Sequence, residues 1–333
     1  MLMSTRSCVA SCAIGVRLVA GLTPLPIESQ AVPSGGRPVL HVDSLGARAP
    51  AIVFLAGLGA TSSYWKARVG PLADDYQLFL PDPLGFGRSP RPDTAYSVEL
   101  HAESLETLVE REAPVIMVGH SFGALVAAAY ARAHPEQVRG LVLIGTPVFA
   151  SKAEAVGQLS GGNLVKRWVL SHRKPTALFC ALTRKVARPF IPLLAPDMPN
   201  DVRDDATAHT SRASTSSLHD GLYALDGREL LRSIPDAVPV LVIHGERDRT
   251  APWLAVQQVL ESRRAWEYLL LPEADHHPVL RSPSAVLRAI REFADGLQAQ
   301  PPPPTEGSAA RLDDEPRFGV LSANATKHTQ RGK

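Results

Sequence analysis

The stretch VIMVGHSFGALVAAAYARAHP, Val115 to Pro135, sets Ser121 between two glycines where an apolar run of strand type gives way to an alanine-rich run of helix type. A serine leading into a helix can be an N-cap, its side-chain oxygen accepting from a free backbone N–H. It can instead be a nucleophile on a strained strand-to-helix turn, where Gly119 and Gly123 remove side chains that would collide with neighbouring backbone. A strand-type run before Ser121 and a helix-type run after it are the context the second reading requires. A serine hydroxyl is a weak nucleophile near neutral pH, so it needs a histidine base, and that base needs a carboxylate to fix its tautomer and stabilise the imidazolium. Asp248 lies in PVLVIHGERDRTAP, directly after a strand-type run; its plainer role would be a turn residue or helix N-cap ahead of Pro252. His276 and His277 lie in LLLPEADHHPVLRSP, again after a strand-type run. Functional loops of an α/β sheet gather at the carboxyl ends of its strands, so the order Ser121, Asp248, His276, each at a strand end, points to nucleophilic attack on a carbonyl.

Those three positions need a scaffold. Continuous apolar runs at 51–57, 76–82, 114–120, 138–145, 239–245 and 266–272 read as strands buried on both faces, as in a parallel sheet. Between them, 63–73, 97–112, 122–134, 251–262 and 282–297 read as helices, an alternation that predicts an α/β sheet with helices on both faces. PVLHVDSLG at 38–46 adds an antiparallel edge strand. From Pro147 to Pro235 no comparable strand occurs, and a structureless loop of that length is improbable, so an inserted helical subdomain is expected. The expected division is a core of 36–147 and 236–297, a helical cap of 148–235, a leader of 1–35 and a disordered tail of 298–333.

The motifs FLAGLGATSSYW, PDPLGFGRSP, VGHSFGALVAAAYA, LIGTPV, VIHGERD and DHHPVLRSP, in that order, resemble the α/β-hydrolase superfamily over roughly residues 38–297. The resemblance implies a Ser121 nucleophile, an Asp248 acid and a base at His276 or His277. His276 is preferred, because the family's Gly-His-x-Pro pattern aligns with Asp275-His276-His277-Pro278; a slip of one residue would exchange them. It also implies an oxyanion hole made by the backbone N–H groups of Leu58 and Phe122. The chain departs from the family here, having Ala56-Gly57 where His-Gly is usual, which puts in question the hydrogen bonding that normally stiffens this loop. In the family a helical cap between the sixth and seventh strands covers the site, and Phe149, Leu159, Trp168, Phe179, Leu182 and Phe190 are candidates to line an apolar pocket beneath it, although each could equally pack the cap onto the core. Asp82, Arg88, Gly85 and Gly87 read as a structural loop.

The formal charge of +2 comes from 35 basic and 33 acidic side chains that read as scattered, so no patch argues for nucleic acid or an anionic membrane surface. Three cysteines, Cys8, Cys12 and Cys180, show no metal-ligand spacing, and no metal or cofactor is expected. No apolar stretch reaches the ~18 residues of a membrane span. Arg17 interrupts the mildly apolar run from Cys8 to Gly21, a poor fit to a secretory signal, so a cytoplasmic location is expected, with secretion as the alternative. The expected partner is a small-molecule substrate with an apolar acyl or ring portion; the oligomeric state is not legible. The expected activity is hydrolysis of a carboxylic ester or thioester. Alternatives are carbon–carbon bond hydrolysis, perhydrolysis or lyase and cyclisation chemistry by the same three residues, or a ligand-sensing receptor with vestigial turnover.

Overall fold

A computed structural model describes residues 37–182, 198–205 and 209–299. The expected leader, Cys8, Cys12, Phe190 and the chain beyond 299 lie outside the described residues. Seven strands form one sheet: β1 (Val42–Leu45), β2 (Ala51–Leu55), β3 (Gln77–Pro81), β4 (Val115–His120), β5 (Val138–Ile144), β6 (Val240–Gly245) and β7 (Glu267–Leu271). Their spatial order is β1-β3-β2-β4-β5-β6-β7, with β1 antiparallel to β3 and every other pair parallel. The order reverses between β2 and β4, and loops leaving the carboxyl ends of two such strands part to opposite faces, opening a crevice for ligand. Ala56 follows one of those strands and Ser121 the other.

The continuous apolar runs have a direct cause. Inner strands β2, β4 and β6 are buried along their whole length, whereas the edge strands β1 and β7 are only partly covered. Alternate side chains feed two cores on opposite faces. Val53, Leu55, Met117, Leu141 and Val242 join one; Ile52, Phe54, Val118, Val142 and Ile243 join the other. Burying each such side chain contributes about 1.5–3 kcal/mol against leaving it in water.

Helices α1 (Ser63–Lys66), α2 (Val98–Glu103), α3 (Glu106–Glu112) and α4 (Phe122–Ala133) lie between the strands up to β5. After β5 come α5 (Lys152–Ser160), α6 (Leu164–Ser171), α7 (Arg173–Leu182), α8 (Asn200–Asp205), α9 (Ser211–Ser216), a π-helical turn at Ser217–Leu222, and α10 (Gly227–Arg232). Helix α11 (Trp253–Leu260) separates β6 from β7, and α12 (Pro278–Arg281) and α13 (Pro283–Ala299) follow β7. The expected helix over 63–73 is α1 followed by a 3₁₀ turn at Gly70–Leu72, and the expected 97–112 helix is broken into α2 and α3. Helix α13 runs to Ala299, two residues into the span expected to be tail. Its Val286, Ile290, Phe293, Ala294 and Leu297 recur at helical spacing and form one buried stripe.

The helices between β5 and β6 start on the caps their sequence supplies. Ser151, Asn163, Thr210 and Asp226 each accept from a backbone N–H of the first turn that follows. The insertion falls after the fifth strand rather than the sixth, because a single antiparallel strand precedes the parallel set among the described residues.

Candidate active site

Ser121 does not cap α4. Its side chain makes no capping hydrogen bond, and its backbone sits at φ 54°, ψ −121°, the single non-glycine residue with positive φ among the described residues. Such a conformation costs of order 1–3 kcal/mol and persists where the surroundings enforce it. Here they do. A Cβ at position 119 would lie 2.4 Å from the Gly123 carbonyl oxygen, and one at 123 would lie 2.5 Å from the Leu55 carbonyl oxygen, so only glycine on both sides lets β4 turn this sharply into α4. The Ser121 N–H donates to the Ile144 carbonyl at 2.9 Å, which anchors the turn to β5.

The turn projects the hydroxyl toward a histidine. Ser121 Oγ lies 2.9 Å from His276 Nε2, and His276 Nδ1 lies 2.8 Å from Asp248 Oδ2. A carboxylate only accepts, so Nδ1 carries the proton and donates it, leaving Nε2 as the lone-pair acceptor facing the serine. Asp248 follows β6, is buried, and its Oδ1 accepts from the N–H groups of Thr250 and Ala251, both at 2.8 Å. Those two bonds are what a turn aspartate would make, so the plainer role weighed for Asp248 is present as well; its second oxygen serves the histidine. His244 Nε2 is 3.5 Å from the same carboxylate, but its proton goes to the Ala251 carbonyl at 2.7 Å, and burial holds the ring's pKa down, so it stays neutral.

Of the two adjacent histidines, it is the ring of His276 that lies between Ser121 and Asp248. His277 turns the other way: its Nδ1 is 3.4 Å from the Tyr64 hydroxyl, and burial, assisted by the neighbouring His276, pushes its pKa down to about 4. His120 supports the arrangement from below. Its ring stacks on Tyr64 at 4.9 Å between centroids, and its Nε2 donates to the His276 carbonyl at 2.8 Å, since a carbonyl can only accept. Burial first, then the adjacent His276 and His277, hold His120 well below the ordinary histidine pKa, so it acts as a neutral strut.

The backbone of the Ala56-Gly57-Leu58 loop lies against the serine: a Cβ at 57 would be 3.2 Å from both Ser121 Cβ and His120 Nδ1. Among the described residues, the N–H groups of Leu58 and Phe122 are taken by no loop, cap or side-chain acceptor, and the Phe122 N–H opens α4, where the helix dipole is positive. Two aspartates hold the residues that follow this loop. Asp82 Oδ1 accepts from the Ser62 N–H at 2.8 Å, while its Oδ2 accepts from the Arg88 N–H at 2.8 Å, which gives the PDPLGFGRSP loop its structural role. Asp205, at the end of α8, accepts from Thr61 N–H at 2.9 Å and Thr61 Oγ at 2.7 Å. Burial raises the Asp205 carboxyl above its ordinary pKa against the opposing pull of those two bonds. Arg68 reaches the same helix, with Asp201 Oδ2 at 2.8 Å.

Above Ser121 and His276 opens a cavity of about 540 Å³, walled by Leu58, Tyr64, Leu159, Phe179, Met198, Val202, Leu218 and Leu222, with Arg203 and His277 among its polar members. Phe179 and Leu159 thus face the cavity as the sequence suggests. Phe149 does not: it is packed into the sheet core beside Val148, one of the residues on which β5 leaves the sheet. Trp168 and Leu182 do not line it either. Tyr64, Thr61, Asp205, Leu218 and Leu222 carry no role in the sequence reading. Tyr64 falls within the FLAGLGATSSYW motif, but only the fold brings residue 205 to residue 61.

The chain belongs to the alpha/beta hydrolase family, whose sequence pattern matches residues 52–289. It is an enzyme of that family, and among its relatives is the pimeloyl-[acyl-carrier protein] methyl ester esterase of Edwardsiella ictaluri, 30% identical over 74% of this chain and 93% of the relative. A 1-acylglycerol-3-phosphate O-acyltransferase of Arabidopsis thaliana is 29% identical over 74% of this chain and 67% of its own length. A thermophilic esterase from Thermogutta terrifontis shares the fold with a TM-score of 0.63 at 20% identity, over 78% of this chain and 93% of that structure.

Proposed function

We propose that the protein is a serine hydrolase that cleaves a carboxylic ester or thioester through an acyl-enzyme. The reading is carried by the unbroken hydrogen-bond chain from Ser121 through His276 to Asp248 at the floor of an apolar cavity. Ser121 Oγ attacks the substrate carbonyl carbon as His276 Nε2 takes its proton, and Asp248 stabilises the imidazolium that results. The Leu58 and Phe122 N–H groups receive the oxyanion; one such donor is worth roughly 10²–10³ in rate. Collapse expels the alcohol or thiol, which leaves with the proton from His276. Water then attacks the acyl carbon, giving its proton to the same nitrogen, and the carboxylic acid departs as Ser121 is regenerated. The apolar walls suit an acyl or ring portion of the substrate, and the names of the two sequence relatives both concern acyl esters.

Labelling by a fluorophosphonate probe, located by peptide mass spectrometry, is expected on Ser121 and absent in folded Ser121→Ala protein. Turnover is expected on a panel of aryl esters and thioesters. Undiminished ester hydrolysis by Ser121→Ala would sink the assignment, and turnover of a β-diketone with negligible esterase activity would move it to carbon–carbon cleavage. Ligand-dependent stabilisation with turnover much slower than ligand exchange would mark a receptor.

A further inference from the structure

Six large apolar side chains stand more than half exposed on two consecutive helices: Leu164 (78%), Val165 (73%) and Trp168 (59%) on α6, Leu178 (61%), Phe179 (56%) and Leu182 (51%) on α7. Elsewhere among the described residues, large exposed apolar side chains occur singly, at Val39, Leu254 and Tyr268. In each helix the three positions are i, i+1 and i+4, the spacing of one helical face, and α6 packs against α7. Leaving two such faces in water forfeits the burial that ordinarily repays ordering a helix, so contiguous exposure of this kind marks a contact surface.

The charge around these faces says what the contact is. Residues 155–196 contain seven lysines and arginines and no aspartate or glutamate, in a chain whose formal charge is only +2, so the remainder is net negative by five. The cations are therefore not scattered as the sequence reading has them. Arg173 pairs with Asp220, but Lys166, Arg167 and Lys174 are exposed and have no carboxylate partner among the described residues. Arg184, Lys185 and Arg188 lie outside the described residues and add to the charge by sequence alone. Apolar side chains that include a tryptophan, interleaved with unpaired cations and free of acid, suit the interface of a bilayer containing anionic lipid.

We propose that the exposed faces of α6 and α7 dock the protein peripherally on an anionic lipid surface. No described helix is long and apolar enough to cross a membrane, so the contact is one of docking rather than spanning. Phe179 belongs both to this surface and to the cavity wall, so docking would set the cavity edge against the lipid.

The test is co-sedimentation of the full chain with vesicles of phosphatidylcholine alone and of phosphatidylcholine mixed with phosphatidylglycerol. Binding is expected to the mixed vesicles, weakening as salt is raised. Lys166→Gln, Arg167→Gln and Lys174→Gln should each weaken it roughly fivefold. Leu164→Ser/Trp168→Ser should remove it, with the thermal midpoint unchanged because both side chains are exposed. A blue shift of tryptophan emission on binding should vanish in Trp168→Phe, since Trp65 and Trp266 are already buried and the half-buried Trp253 packs against His244 and Tyr268. Equal binding to both vesicle types, or to neither, overturns the proposal. So does a doubled mass in solution that Leu164→Ser/Trp168→Ser abolishes, which would give the face to a second copy of the chain. Ser121→Ala protein should sediment like the native chain, so failure here leaves the hydrolase reading intact.

Discussion

The carboxyl edge of the sheet and the helices inserted after β5 enclose one cavity but are held in place by different means. At the sheet edge, position is set by backbone against backbone: the elbow at Ser121 is fixed by contacts that forbid a Cβ at 119 and 123, and Asp248 is pinned by two N–H groups of its own turn. In the insertion, α8 is tied to the chain on either side of α1 by side chains, through Asp205 to Thr61 before it and Asp201 to Arg68 after it. The apolar face of α6 and α7 is more than half exposed. The proposed bond-making groups thus sit where a displacement is sterically blocked, and the cavity wall on α8 sits where it costs a few hydrogen bonds.

The largest expected effect tests whether chemistry belongs wholly to the sheet edge. His276→Ala should lower kcat by at least ~10³-fold, as loss of a member of such a unit does. His277→Ala, one residue away, should stay within ~10-fold, because its ring faces Tyr64 instead of the serine. Reversed magnitudes in steady-state kinetics would break the assignment. Next comes the steric claim. Gly123→Ala must place Cβ against the Leu55 and Ala56 carbonyl oxygens at 2.5 and 2.6 Å, and neither backbone can yield, so urea unfolding should show a loss of about 3 kcal/mol.

A third experiment addresses the seam between the two regions. Asp205→Ala leaves the Thr61 N–H and hydroxyl without their buried acceptor and should destabilise by about 1–3 kcal/mol, with a fall in kcat as the Leu58 loop loosens. Asp205→Asn can accept from the N–H and donate to the hydroxyl, so it should restore most of both. If Asn behaves like Ala, carboxylate charge and not loop fixation is the point of contact.

The smallest effect is the share of the pH dependence that a single buried ring carries. Burial holds His101 and His277 at about 4, and also depresses His120 and His244 below 6.5. Unfolded, these rings take protons near pH 6.5, whereas folded His101 and His277 resist until about 4 and His120 and His244 resist to below 6.5, so in that window the unfolded state binds more protons. Stability is therefore complete above about 6.5 and falls as pH drops, by up to ~1.4 kcal/mol per pH unit for each ring. Thermal midpoints recorded from pH 7 to 5 should decline, and His101→Asn should flatten the slope. An unchanged slope would show that the ring is not held neutral.

The sheet was legible because its inner strands are buried on both faces, which leaves an unbroken apolar run such as AIVFL or VLVI in the sequence. The convergence of Ser121, Asp248 and His276 was legible because the first two follow such runs and the third follows the apolar LLL of β7. The insertion was not, since its helices carry polar and apolar residues alike and the sequence does not say which side meets the core. Trp168 and Phe149 show the two ways this fails: one aromatic faces water, the other the sheet, and both look like pocket residues in the sequence. Asp205 was invisible for another reason, because its partner lies 144 positions away and nothing local marks it.

The left-handed backbone at residue 121 also sets what the chain gives up for the proposed reaction. Glycine would relax the elbow, and stability alone would favour it there; a hydroxyl can be presented at that apex only by accepting a conformation its own side chain opposes. Thermal robustness and the proposed chemistry therefore pull on this one position in opposite directions.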